Sequence, residues 1–581
     1  MKKSLDPNRL VNKLNLQYLI ILIIFICSLS IRIYKLGELP LSDTEASNVM
    51  DVIRTNTGEE NYSYNSVDDF FITYMFSIFG INSFSARLTS ALIGSLIVFF
   101  PMVLKKNISS TNSIIFALFL AFDPILINLS RLADSKMIAL VTFMFGMAFL
   151  LLSQAWMAGI CFGVYFLCGL PTWNGVLILI IVLLLLAIRN LYKKSKVIGD
   201  ELVSIFHSIK NRQFWLGILS IMGLSFIIFP STISVITSGL IEFTRQLFSP
   251  NLIYIPKSSI LLIFISCYPL FIFLFCCGLL TRDRNQKNIH SFMVLSFISI
   301  LLTLALLPSA NILDVSWLVI PLYLVSANGA AYLIEHFRTI SGKVFLISIP
   351  ILSSFVFIYL LLLRVVSFQS YTLEIGQILI SIIAIVFFLL LMLIILAWGW
   401  SIRLGVNGFT TGLMIILLIH QLSITAHSTG VASRPEQEVW RSSGYFQDAH
   451  LLKEIISDIV EWNRGTLRKI DVVLLNSMDD NILWELKEYD IKSVNDLAPN
   501  EKPSLLITGI DQIINHETNY LKQRFVRNVY PQWLQDPIHA LINSDFYEWL
   551  FLRMGSLKEE RMILWARNDL FPGNSIYFEV D

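Results

Sequence analysis

The residues best placed for chemistry are two carboxylates, Asp43 and Glu45, in the stretch Leu39-Pro-Leu-Ser-Asp-Thr-Glu-Ala-Ser-Asn48. They follow an apolar run, which holds them near a membrane surface, where an acid costs solvation energy unless a partner or a task retains it. A carboxylate there can serve as general base toward a hydroxyl if a cation nearby offsets charge on the leaving group. Such cations occur further along, in Phe122-Asp-Pro-Ile-Leu-Ile-Asn-Leu-Ser-Arg-Leu-Ala-Asp-Ser-Lys136, which carries Arg131, Asp134 and Lys136. If the two stretches meet, acids of the first face Arg131 and Lys136 of the second, a pairing suited to moving a group off a phosphate. Two plainer readings stand beside this one: Ser42 or Asp43 capping a helix that starts near Thr44, and a boundary salt bridge that pins two loops.

The elements that must position these residues are apolar. Hydrophobic residues make up 55% of the 581 and charged residues 15%, with mean hydropathy +0.68, in runs too long for a soluble core. Runs of about bilayer length fall at Leu16 to Ile33, Leu88 to Leu104, Ser113 to Ile127, Met137 to Leu152, Trp156 to Leu170 and Val176 to Ile188. Others fall at Phe214 to Ile236, Ile260 to Leu280, Phe292 to Leu307, Trp317 to Ile334, Val344 to Leu363, Ile375 to Trp398 and Gly408 to Ala426. The pattern predicts a mainly α, polytopic transmembrane helical bundle of about 13 spans over residues 1–427.

Lys and Arg are retained on the cytoplasmic side of membrane proteins. With the N-terminus inside, that side collects Lys105, Lys106, Arg189, Lys193, Lys194, Lys196, Lys210, Arg212, Arg282, Arg284, Lys287, Arg338, Lys343 and Arg403. An odd number of crossings then places the tail outside, with Asp43 and Glu45. The basic flank of the first run lacks a small-residue cleavage site and reads as a retained anchor. The first outer loop, 37–84, is long for a helix connection and so reads as functional. Within it Ala46 to Arg54 suits a short amphipathic helix, residues 61–66 around Tyr64 suit a turn, and Val67 to Phe79 sets aromatics at helical spacing along the membrane surface.

The tail, 428–581, differs in kind, with more charge and shorter apolar runs. Helical patterns at His450 to Trp462 and Asp479 to Tyr489 alternate with strand patterns at Ile470 to Leu475, Ser504 to Ile510 and Arg561 to Ala566. The tail is therefore expected to form a small α/β extracytoplasmic domain.

Several chemistries have no motif here. The chain lacks a Gly-rich phosphate loop with a following Lys-Ser or Lys-Thr, a His-Glu-x-x-His, a Cys-x-x-Cys and a Gly-x-Ser-x-Gly elbow. A net charge of +1 points to no nucleic acid, and all six cysteines lie in apolar runs, so no disulfide framework is expected.

The order of these stretches resembles the GT-C superfamily of polyprenyl-phosphate-sugar-dependent glycosyltransferases, in its protein O-mannosyltransferase and aminoarabinose-transferase branch. The resemblance rests on Ser-Asp-Thr-Glu-Ala46, on Phe79-Gly-Ile-Asn-Ser-Phe-Ser-Ala-Arg-Leu-Thr-Ser-Ala91, and on Ala121-Phe-Asp-Pro-Ile-Leu-Ile-Asn-Leu-Ser-Arg-Leu-Ala133. It covers roughly Leu36 to Leu152 and is thin beyond. Thr44 splits the family's adjacent acids, so either Asp43 or Glu45 takes the place of the catalytic carboxylate. The resemblance implies an inverting transfer of a sugar from a polyprenyl-phosphate-linked donor in the lipid bilayer to an extracytoplasmic acceptor. Arg131, Lys136 and Arg87 would hold the donor phosphate, with Asp134, Tyr64 and Asp69 in support. No cofactor is required on this reading; were a Mg²⁺ or Mn²⁺ ion present, Asp43 and Glu45 would be its ligands. The alternative is a non-catalytic transporter, flippase-associated or assembly protein, whose signature would be ionisable groups at mid-membrane depth in several spans.

Overall fold

The computed structural model describes residues 7–571 apart from 59–63, 105–107, 194–204, 206, 229–231, 249–255, 281–286, 308–309, 339–341, 368–371, 400–401, 430–433, 441–443, 465–470, 476–479, 496–501, 511–519 and 543–544. Lys105, Lys106, Lys194, Lys196, Arg282 and Arg284, expected on the cytoplasmic side, lie outside the described residues.

Among the described residues five helices are long and apolar enough to cross a membrane: Leu16–Ile33, Ser83–Val103, Leu170–Ile188, Ile312–Glu335 and Gly405–Ser428. Three further candidates are bent pairs, Ser110–Ala121 with Pro124–Ser130, Arg212–Ile228 with Thr232–Phe248, and Lys257–Cys267 with Pro269–Leu280. Five shorter apolar helices complete the set. Each apolar run of the sequence falls on one of these helices or pairs. Leu219, Ile227, Ile383, Phe388 and Trp398 stand exposed on the bundle surface, as apolar side chains do when lipid is the solvent. The chain is an integral membrane protein, mainly helical, followed by a mixed α/β domain.

Two of the bends have a local cause. Pro124 and Pro269 each open the second helix of their pair, where a missing N–H costs nothing, and the bends are 56° and 77°. The breaks are tied to each other. Asp123 caps Pro124–Ser130 by accepting from the Leu126 N–H at 2.6 Å, and its other oxygen accepts from the Tyr268 hydroxyl at 2.9 Å and from the Tyr323 hydroxyl. Tyr323 belongs to the helix Ser316–Arg338, which packs closely on Pro269–Leu280. That approach needs Gly278 and Gly329, because a Cβ on either would run into the backbone carbonyl of Val325 or Leu274.

Four helices build the membrane boundary that concerns function: α1 (Pro7–Ile33), α2 (Asp43–Thr57), α3 (Val67–Phe79) and α4 (Ser83–Leu96). Val49, Val52, Ile72, Phe76 and Ala86 of α2, α3 and α4 share a small core with Ala133 and with Trp484 of the tail.

The tail is a six-stranded sheet of β1 (Tyr445–Phe446), β2 (Asp471–Leu475), β3 (Asp490–Val494), β4 (Leu505–Gly509), β5 (Tyr520–Pro531) and β6 (Leu557–Arg567), in the order β1-β5-β6-β4-β2-β3. β2 pairs in parallel with β3 and β4, and the other pairings are antiparallel. Helix Ala449–Arg464 places Leu452, Ile456 and Val460 against Val472, Leu474 and Ile507 of the sheet. The helical pattern at 479–489 yields only Asp480–Glu485, and the chain then turns into β3. Between β5 and β6 the chain leaves the sheet as Gln532–Leu534, Pro537–Ile542 and Asp545–Leu552. Trp533, Leu534, Phe546 and Trp549 of this insertion belong to the same continuous core as the membrane helices. Ser259 of the bundle donates to the Leu534 carbonyl at 2.7 Å.

Candidate active site

Helix α2 begins where the sequence signals it. Ser42 is the N-cap and Glu45 the third helical residue, and the Ser42 N–H and hydroxyl both donate to Glu45 Oε2 at 3.0 Å. This is the reciprocal arrangement that Ser-x-x-Glu favours. Glu45 does more than cap. Arg87 Nε donates to Oε1 at 2.7 Å, Arg87 Nη2 to Oε2 at 2.8 Å, and the Ala133 N–H to Oε1 at 3.0 Å. The remaining Arg87 donors reach the carbonyls of Leu36, Leu39 and Pro40 at 2.8 to 3.1 Å. All five N–H groups of Arg87 are thus engaged.

Arg131 is placed differently from expectation. Its Nη1 donates to the carbonyls of Ile31, Tyr34 and Thr429 at 2.8 to 3.3 Å, and its Nη2 to the Lys35 carbonyl at 3.4 Å. A cation there answers the orphan carbonyls and the negative dipole end of α1. Asp43, the first residue of α2, is met by the tail: Asn528 Nδ2 donates to Oδ2 at 3.0 Å and Arg527 Nη2 at 3.4 Å. The two loops do converge, since Asn48 Nδ2 reaches the Ala133 carbonyl at 3.2 Å. The imagined Asp43–Arg131 pair is replaced by Asp43 with Arg527 and Asn528, because Arg131 turns back to close the end of α1.

A polar cavity of about 70 Å³ opens beside this junction. Its walls include Ser42, Thr44 and Glu45 from the start of α2, Asp134 and Lys136 from the second loop, Asn311, and Trp440 from the tail. Asp134 Oδ1 accepts from the Lys136 N–H at 3.1 Å, and Lys136 Nζ lies 3.6 Å from Asp134 Oδ2. Lys136 also feels the field of Asp314. Asn311 and Asp314 form a second capping box, with the Asn311 N–H on Asp314 Oδ2 at 2.8 Å and Asn311 Oδ1 accepting from the Ile312 N–H at 2.7 Å. Asp314 lines a small second cavity with Trp317, Ile178 and Ile300, and those last three also line an apolar cavity of about 60 Å³ among the membrane helices.

The supporting residues divide. Asp134 is in the cavity wall. Asp69 instead closes the N-terminus of α3, accepting from the N–H groups of Asn65 and Ser66 at 2.6 and 2.9 Å. Burial pushes its carboxyl up to about 6 despite those hydrogen bonds. Tyr64 donates to Asn56 Oδ1 at 2.8 Å, within the loop. Next to Asp69, Asp68 is buried, and its Oδ1 has no hydrogen-bond partner among the described residues. Burial, then the neighbouring Asp69 and Asp134, push its carboxyl well above the usual range.

Asp43 and Glu45 do not make a cation cradle together, because five hydrogen bonds, two of them from Arg87, already converge on the Glu45 carboxylate. Among the described residues no group of three or more His, Cys, Asp or Glu side chains is arranged to hold a metal ion.

Solved structures with this architecture exist. ArnT from Cupriavidus metallidurans, bound to undecaprenyl phosphate, superposes with a TM-score of 0.51 over 97% of this chain and 99% of its own, at 12% identity. Its apo state gives the same score and identity, over 97% and 100%. This chain has the GT-C fold. The oligosaccharyltransferase of Archaeoglobus fulgidus in its apo form aligns over 81% of this chain and 64% of its own, at 10% identity and a TM-score of 0.43. No family model and no curated protein sequence matches the chain.

Within the GT-C fold the site also draws on residues that the sequence reading passed over. Asn311 and Asp314 were legible as Asn-x-x-Asp ahead of an apolar run, a helix-start signature. Trp440, Arg527 and Asn528 carry no local signal, since only the docking of the tail brings them to α2.

Proposed function

We propose that this chain is a membrane glycosyltransferase that moves a sugar from a polyprenyl-phosphate-linked donor to a hydroxyl acceptor at the extracytoplasmic face, with inversion. One observation carries the reading: an acid and a cation, Asp134 and Lys136, line a polar cavity with Asn311, and Asn311 is hydrogen-bonded to Asp314, which lines a small cavity that shares Trp317 with an apolar space among the membrane helices. A ligand with a charged head and a long apolar tail suits that sequence of environments. The likeness of the fold to ArnT bound to undecaprenyl phosphate supports the same class of donor.

In the proposed step the acceptor oxygen attacks the anomeric carbon as the bond from that carbon to the phosphate oxygen breaks. The polyprenyl phosphate leaves with the electron pair, and the acceptor proton passes to a carboxylate. We assign that carboxylate to Asp43, whose neighbours in the chain, Ser42 and Thr44, line the cavity while its own side chain turns to Arg527 and Asn528 of the tail. Glu45 is the poorer base of the two, because proton uptake would break a buried, two-pronged Arg87 contact at 2.7 and 2.8 Å, tighter than the 3.4 Å approach of Arg527 to Asp43. Lys136 takes the donor phosphate, while Arg87 and Arg131, whose donors serve the fold, hold the boundary in shape.

The test uses membranes containing the full chain and radiolabelled undecaprenyl-phosphate-linked hexoses and pentoses. Asp43→Asn is expected to lower transfer by at least about a hundredfold. Absence of transfer by the wild type with every donor would turn the assignment toward an assembly protein on the same fold.

A further inference from the structure

β5 and β6 pair residue by residue from Tyr520 with Arg567 to Val526 with Arg561, and pairing resumes at Asn528 with Glu560. Arg527 is therefore an extra residue, a β-bulge. A bulge bends its strand and re-aims the side chains around it. Here the re-aimed side chains are Arg527 and Asn528, and both reach Asp43 Oδ2. Asn528 is 4% exposed, and its Nδ2 also donates to Glu560 Oε2 at 3.2 Å. Two acceptors facing one amide nitrogen leave no doubt which end of the amide points at Asp43.

This contact is not what holds the tail to the bundle. Docking is secured elsewhere, by Arg54 Nη2 on Asp480 at 3.0 Å, by Trp484 stacked on Phe76 with its indole N–H on Ser83, and by the insertion that shares the apolar core of the helical bundle. The bulge contact is spare for docking and specific for Asp43.

We propose that Arg527 and Asn528 are positioning residues for sugar transfer, fixing the Asp43 carboxylate for proton uptake, so that the tail is an integral part of the active site. This rests on the reading of Asp43 as base. Asp43 begins a helix and has two side-chain torsions to fix. Two donors from a separate strand hold one of its oxygens, which fixes the position and plane of the carboxylate. Misplacement of a reacting group by about 1 Å can cost about a hundredfold in rate.

The experiment compares Arg527→Ala, Arg527→Lys, Asn528→Ala, Asp43→Asn and the double variant Asp43→Asn/Arg527→Ala, all in the full chain. The assay is transfer from undecaprenyl-phosphate-linked radiolabelled sugars, with thermal unfolding as a check on the fold. Arg527→Ala and Asn528→Ala are expected to lower kcat by about tenfold to a hundredfold with donor KM nearly unchanged. Arg527→Lys should recover most of the loss, and the double variant should be no slower than Asp43→Asn alone. Full turnover in both alanine variants while Asp43→Asn is inactive overturns the positioning role and leaves the base standing. A kcat loss that merely follows loss of folded protein overturns it too. Wild-type turnover in Asp43→Asn, or no transfer by the wild type, overturns the base assignment and this inference with it.

Discussion

Glu45 and Arg87 lie 2.7 Å apart, each 1% exposed, and the contact has two prongs, Nε on Oε1 and Nη2 on Oε2. This pair joins α2 to α4, and through the Ala133 N–H it also holds the second loop. Burying two charges is costly, and the pair is stable only because every donor and acceptor around it is satisfied.

Breaking it from one side should therefore be severe. Arg87→Ala strands a buried carboxylate and is expected to cost about 3–5 kcal/mol. Glu45→Gln, which keeps the shape and much of the hydrogen bonding, should cost less. Thermal unfolding in detergent measures both. Native stability in Arg87→Ala would show that the pair is not what holds this junction.

Lys136 and Arg131 lie in one loop and should respond to mutation in opposite ways. Lys136→Met removes the cation of the cavity and is expected to raise the donor KM by about tenfold to a hundredfold, with little change in melting temperature. Arg131→Ala releases carbonyls at the ends of two helices, so its effect should appear in melting temperature before donor KM. Donor titrations and unfolding curves on the same preparations separate the two, and the reverse pattern would return the phosphate to Arg131.

A third prediction concerns pH. Burial lifts the Asp69 carboxyl from 3.8 to about 6. Between those values the folded chain keeps a proton that the unfolded chain has released, so this group's contribution to stability falls as pH rises through that window and levels off above it. Asp68 acts in the same direction. Wild-type stability minus that of Asp69→Asn should accordingly decline from about pH 4 to about pH 6. A difference that grows with pH would contradict the buried, proton-retaining Asp69.

The parts of this molecule written in local sequence are easy to find there. A bilayer selects apolar runs by length, so Leu16 to Ile33 or Gly408 to Ala426 could hardly be anything but membrane helices. Ser42 and Glu45 spell a helix start. β5 escapes notice because Lys522, Gln523 and Arg524 lie exposed in succession, while Asn528 and Val529 are buried in succession, so no alternation survives. The fate of a charge is harder to foresee. Arg87, Arg131 and Lys136 look equally fit to hold a phosphate, yet two of them spend their donors on backbone carbonyls and a buried acid, and nothing in one dimension tells which way a guanidinium turns. Arg527 lies 484 positions from Asp43, and only the assembled sheet brings it there.

The segment that leaves the sheet between β5 and β6 has a consequence for how the protein matures. Trp533, Leu534, Phe546 and Trp549 come near the end of the chain, yet they plug the same apolar interior as helices made hundreds of residues earlier. Synthesis of the helix Gly405–Ser428 therefore does not complete this core, which needs Trp533, Leu534, Phe546 and Trp549 to fold back onto it. A product cut short after residue 428 would present apolar surface where those side chains belong, and is expected to be unstable.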